Sequence, residues 1–174
     1  MTAPSTFAPT VESHPHPRST AELGVIHADP GFGNYFTDHM FLAKWTPDEG
    51  WAYPRIVPYG PLTLDPATAV LHYAQEIFEG LKAYAHDDGS IWLFRPEANA
   101  ERMQRSARRL ALPELPTDWF VGSIKALIDV DEAWVPRGEE KSLYIRPFMF
   151  ASERFLGVRP SQHVTYGVII SPAA

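Results

Sequence analysis

Phe78-Glu79-Gly80-Leu81-Lys82-Ala83-Tyr84 is the stretch on which the fold turns. On its N-terminal side, Asp65-Pro66 suits a helix start, because Asp caps and Pro fits the first turn. Val70, Leu71, Ala74, Ile77 and Phe78 then recur at helical spacing, which predicts a helix over 65–80 ended by Gly80. On the C-terminal side, Leu81 to Ala85 reads as a strand. Asp87-Asp88-Gly89 turns the chain, and Ser90 to Arg95 returns it, giving a predicted hairpin.

Further out, Pro96 opens a second predicted helix running to about Leu110, with Met103, Ala107 and Leu110 inward. Thr117 caps a third, in which Phe120, Ile124, Leu127 and Ile128 form the apolar stripe. Ser142 to Ala151 and His163 to Ser171 are rich in β-branched and aromatic residues and predict long strands. His39 to Thr46 predicts another strand, followed by a turn through Pro47-Asp48-Glu49-Gly50. Ile56 to Tyr59 predicts only a short edge piece, since Pro54 and Pro58 cannot donate to a ladder. The first twenty residues carry Pro4, Pro9, Pro15 and Pro17 among Ser, Thr and His, which predicts a mobile tail over 1–20. Hairpin strands with about three helices imply an α+β domain with a mostly antiparallel sheet.

The 174 residues are enough for one domain with its own core. Hydrophobic residues make up 45%, which fits a globular chain. A net charge of −6 gives no general attraction to nucleic acid or anionic membrane. Cysteine is absent, so disulfides and thiolate metal sites are excluded. No apolar run approaches a membrane span, and no basic-then-apolar start marks a secretory signal; a cytoplasmic protein is expected. His14 and His16 are too few ligands for a metal site.

Two polar clusters stand out. Arg102, Arg105 and Arg109 recur at i, i+3 and i+7 on the second helix, which is either a solvated basic face or an anion site. Tyr144 and Arg146 stand two apart on a strand, so one face carries a phenol and a guanidinium while Leu143 and Ile145 face the other way. That pair is either a satisfied strand end or a carboxylate clamp beside an apolar pocket. Phe32, Tyr73 and Phe78 taken singly read as core.

The opening stretch, with Ser106-Ala107-Arg108-Arg109-Leu110, Leu143-Tyr144-Ile145-Arg146-Pro147, Asn34-Tyr35-Phe36-Thr37-Asp38-His39-Met40 and Leu71-His72-Tyr73, resembles the N-terminal domain of branched-chain amino acid aminotransferases. These are pyridoxal 5'-phosphate (PLP) enzymes of fold type IV. The resemblance runs from about Phe32 to Pro172. It implies transfer of an amino group between leucine, isoleucine or valine and 2-oxoglutarate, by a homodimer. It places Arg102, in Asn99-Ala100-Glu101-Arg102-Met103, on the PLP phosphate, and gives Arg105, Arg108 and Arg109 no such role. Phe32, Tyr73 and Phe78 would line the substrate side-chain pocket, and Tyr144 with Arg146 would receive the γ-carboxylate of glutamate. Leu156-Gly157-Val158 resembles the interdomain loop that covers this pocket from the partner subunit, with Gly157 allowing a tight backbone. The implied division is a small domain over 21–155, with 156–174 as interdomain loop and start of the large PLP domain. The family's Schiff-base lysine falls beyond Ala174, so no catalytic residue is assigned. Of Lys44, Lys82, Lys125 and Lys141, Lys82 is the tempting candidate, but beside Glu79 it reads as a solvated ion pair. Close rivals are a D-amino acid aminotransferase or aminodeoxychorismate lyase. More distant ones are a non-catalytic binding module and, against the net acidity, a nucleic-acid binder.

Overall fold

A computed structural model describes residues 7–174. Eight strands form one sheet in the order β1-β3-β2-β8-β7-β5-β6, with β4 also paired to β7. They are β1 (Thr10–Val11), β2 (His39–Thr46), β3 (Gly50–Pro58), β4 (Glu76–Phe78), β5 (Leu81–Ala85), β6 (Ile91–Leu93), β7 (Ser142–Ala151) and β8 (Val164–Ala173). All pairs are antiparallel except β1 with β3. The helices are α1 (Thr20–Ala28), α2 (Val70–Tyr73), α3 (Pro96–Arg109) and α4 (Thr117–Val130). The α+β class with a mostly antiparallel sheet is therefore as expected.

Period-2 alternation sets the layers. Leu143, Ile145 and Met149 of β7 and Val164, Tyr166, Val168 and Ile170 of β8 are buried with Phe120, Ile124 and Leu127 of α4 and Met103 and Ala107 of α3. The two helices thus cover one face of the sheet. Tyr166 has no exposed surface; burial pushes its phenol well above the usual range, and its hydroxyl pairs with Ser123 Oγ at 2.9 Å.

Several elements depart from the sequence reading. The predicted helix over 65–80 shrinks to one turn. Asp65 makes an Asx turn to Ala67 N–H (2.8 Å) and not a lasting cap. Ala74 is left-handed (φ 50°, ψ 35°), and the chain then pairs Glu76–Phe78 with Phe148–Phe150. Pairing with a central strand overrides the helical spacing. β3 is longer than the predicted 56–59, because the register shifts between Leu42 and Lys44 and leaves Tyr53 and Pro54 in a bulge. Pro116, not Thr117, holds the cap position of α4. Leu110 is exposed, one residue past the end of α3. The hairpin at 81–95 forms with Ala83 opposite Leu93.

Two boundaries are corrected. β8 lies between β2 and β7 with a ten-residue ladder to β7, so residues up to Ala173 belong to this sheet and a division after residue 155 cuts through it. The expected tail, whose residues 1–6 lie outside the described residues, is anchored from residue 7 on. Phe7 packs on Phe41 and Trp119 (ring centroids 6.0 and 5.3 Å), and β1 pairs with β3. Ser19 and Glu22 form a capping box that starts α1, an element absent from the sequence reading. Phe7→Ala is therefore expected to destabilise the chain by about 1–3 kcal/mol, below the cost for a fully buried Phe. Urea unfolding measures it, and a change within error would return this segment to a loose tail.

Candidate active site

The site is built where β4 hands over to β5. Both strands pair with β7, β4 through Phe78 with Phe148 and β5 through Leu81 with Ile145. Pro147 sits opposite the gap between them. It has no N–H to give, and its carbonyl accepts from Glu79 N–H at 2.9 Å. Alternation along residues 77–79 then sends neighbouring side chains to opposite faces. Ile77 and Glu79 are buried on the helix side, whereas Phe78 is 63% exposed on the other.

On the open face the structure brings together four of the residues singled out by sequence. Arg146 donates to Tyr144 Oη from Nε (3.2 Å) and an Nη (2.7 Å), and its guanidinium lies 4.4 Å from the Phe78 ring centroid. Phe32 meets Tyr144 edge-on at 4.9 Å between centroids. Gly80 leaves room for this cluster: a Cβ there would sit 2.6 Å from Tyr144 Oη. Lys82 is opposite Tyr144 in the ladder, hence on the same face. The result is a cation on an aromatic floor, ringed by a phenol, suited to a ligand part apolar and part carboxylate.

Tyr73 forms a second group. Its hydroxyl accepts from Gly157 N–H at 2.7 Å, and its ring lies 6.3 Å from that of Phe155. Leu156 and Val158 on the same loop are 70% and 96% exposed. The tight backbone expected at Gly157 is not found: its φ is outside the left-handed region, and a Cβ would make ordinary contact with Phe155 at 3.5 Å.

On the helix side, Arg102 and Asn99 stand three apart on α3, hence on one face. Arg102 pairs with Glu79 through two 2.7 Å hydrogen bonds, and Asn99 Nδ2 donates to the same carboxylate at 2.9 Å. Glu79 is only 4% exposed. Burial pushes its carboxyl up, but the bonds from Arg102 and Asn99 and the adjacent guanidinium outweigh this and hold it below its ordinary value. Sequence reasoning missed this role and offered Glu79 to Lys82. Among the described residues its ion-pair partner is Arg102. The signal was the strand alternation, which puts Glu79 on the helix side and Lys82 on the other. An open hollow of about 530 Å³ beside Arg102 is lined also by Arg105, Ser106 and Arg109.

No family model matches the chain. A probable branched-chain-amino-acid aminotransferase of Streptomyces coelicolor is 58% identical over 168 residues, covering 95% of this chain and 46% of that protein. The branched-chain-amino-acid aminotransferase of Mycolicibacterium smegmatis is 58% identical over 165 residues, covering 94% and 45%. The chain thus spans about half the length of the curated relatives it matches. The fold agrees with that of the crystallised branched-chain aminotransferase of Thermobaculum terrenum in its PLP form (TM-score 0.57, 20% identity, 77% of this chain and 40% of that one). It also agrees with the enzyme of Thermoproteus uzoniensis solved with norvaline (TM-score 0.56, 19% identity, 75% and 40%). By sequence, the chain belongs to the branched-chain-amino-acid aminotransferase family and corresponds to the N-terminal part of its members.

Proposed function

We propose that the whole protein transfers amino groups between leucine, isoleucine or valine and 2-oxoglutarate, using PLP. The observation that carries this reading is the junction at Phe78-Glu79-Gly80. Phe78 floors the Arg146 guanidinium, Glu79 holds Arg102, and Gly80 makes room for Tyr144.

The donor set fits the cofactor. Arg102 is 59% exposed yet fixed by a buried carboxylate, and its unused N–H groups suit a phosphate. PLP, when bound, supplies the electron sink for amino transfer. The residues of this chain bind and orient. Arg102 anchors the phosphate. Phe32, Tyr73 and Phe78 give an apolar wall for branched side chains, and Arg146, steered by Tyr144, pairs with the γ-carboxylate of glutamate. Neither Lys82 nor another lysine of this chain is assigned to the cofactor, and the 174 residues alone do not transaminate. Leu156 and Val158, apolar and exposed, suit cover of a partner's pocket, which supports a homodimer. No helix among the described residues is long and apolar enough to cross a membrane. We expect the whole enzyme in the cytoplasm.

Arg146→Gln tests the pocket. In single half-reactions of the whole enzyme, kcat/KM for glutamate falls roughly tenfold or more beyond any loss for leucine, since only glutamate brings a second carboxylate. Equal losses for both substrates would assign Arg146 to the fold.

A further inference from the structure

Arg102 is a long side chain at the surface, and such a chain loses rotamer freedom on gripping a ligand. Here most of that freedom is already gone. Glu79 takes the Nε–Nη2 edge of the guanidinium with both oxygens at 2.7 Å. Of the five N–H donors of a guanidinium this uses two, and it leaves the Nη1–Nη2 edge with parallel donors for a second oxyanion. Glu79 itself cannot swing. Its backbone N–H is bonded to Pro147, its carboxylate also accepts from Asn99, and it is buried between β4 and α3. An ionised carboxylate only accepts, so the orientation it imposes on Arg102 is single-valued.

We infer that Glu79, steadied by Asn99, is a positioning residue that holds the free edge of Arg102 in one orientation for the phosphate of the cofactor. The inference rests on the reading of Arg102 as phosphate anchor. The competing effect is electrostatic: a carboxylate near a dianion repels it and partly neutralises its arginine. The two effects have opposite signs, so one measurement separates them.

The experiment titrates the full-length apoprotein with PLP and with pyridoxal, which lacks the phosphate. The ratio of the two affinities isolates the phosphate contact from any general damage to the fold. Glu79→Gln is expected to lower PLP affinity roughly three- to tenfold, the loss from freeing one long side chain, and to leave pyridoxal affinity unchanged. Asn99→Ala is expected to act in the same direction by about twofold, and it decides the question alone if Glu79→Gln does not fold. In an Arg102→Ala background Glu79→Gln should have no further effect on the ratio. A ratio that stays constant or rises in Glu79→Gln overturns the positioning role, as does an unchanged ratio in Asn99→Ala where that variant decides. Arg102→Ala tells the two failures apart. If it does not lower the ratio, the phosphate-anchor reading fails and takes the positioning role with it. If it does, while Glu79→Gln and Asn99→Ala do not, only the positioning role falls.

Discussion

In the full-length protein, Arg102→Ala weakens PLP binding roughly 10- to 100-fold, while Arg105→Ala changes it less than about threefold. A hydrogen bond to a charged group is worth about 1.5–3 kcal/mol, and each 1.4 kcal/mol is a factor of ten. Arg102 and Arg105 line the same hollow and carry the same charge. What separates them is the buried carboxylate that fixes one of them: Glu79 binds Arg102 through two bonds, and no ion pair to Arg105 occurs among the described residues. A general basic surface would therefore lose affinity about equally in the two variants, whereas a fixed anchor loses it in one. Titration of the apoprotein with PLP measures both, and similar losses would remove Arg102 from the site.

The largest effect on stability is expected at Phe120. Its side chain has no exposed surface and lies in the core shared by α4 and the helix-side face of the sheet. Phe120→Ala is expected to cost about 3–5 kcal/mol, a large part of the roughly 5–15 kcal/mol that holds a domain together. For a chain of this size the melting temperature should fall by roughly 10 °C. Phe94→Ala is the control: Phe94 is 77% exposed, and its loss should change stability by less than about 0.5 kcal/mol. Thermal unfolding of the 174-residue chain compares the two. A loss under about 1 kcal/mol at Phe120 would mean that α4 does not pack as described.

Where periodicity is long, sequence and structure agree. The stripe of α4 and the alternate positions of β7 and β8 run through elements of ten or more residues and place Phe120, Ile124, Leu143, Ile145, Val168 and Ile170 in the core, while Phe148 and Ile169 between them are only partly buried. Short segments were decided by their partners. Val70 to Phe78 has helical spacing, yet its last three residues pair with β7, which no local pattern foretells. The prolines of the N-terminal segment predict a loose tail, whereas Phe7 seats against Phe41 and Trp119. Ser19 and Glu22 carried a readable helix start that proline content masked. For the site, Tyr144 with Arg146 was legible from strand alternation alone. That Phe32 and Phe78 join them, and that Tyr73 instead meets the loop at Gly157, depends on contacts between residues far apart in the chain.

The junction at residues 78–80 constrains how this pocket can be redesigned. Three consecutive residues serve three different partners, and they do so because β4 stops and β5 starts between them. A residue other than an aromatic at 78 removes the floor under the Arg146 guanidinium, so a change meant for substrate choice also disturbs the cation beside it. Among the described residues, Phe32 meets Tyr144 and the 155–158 loop meets Tyr73, and neither lies under that guanidinium. Variation for new side chains should therefore be tolerated at Phe32, Leu156 and Val158 and penalised at Phe78. A library randomised at all four positions would be expected to keep Phe78 while the others drift.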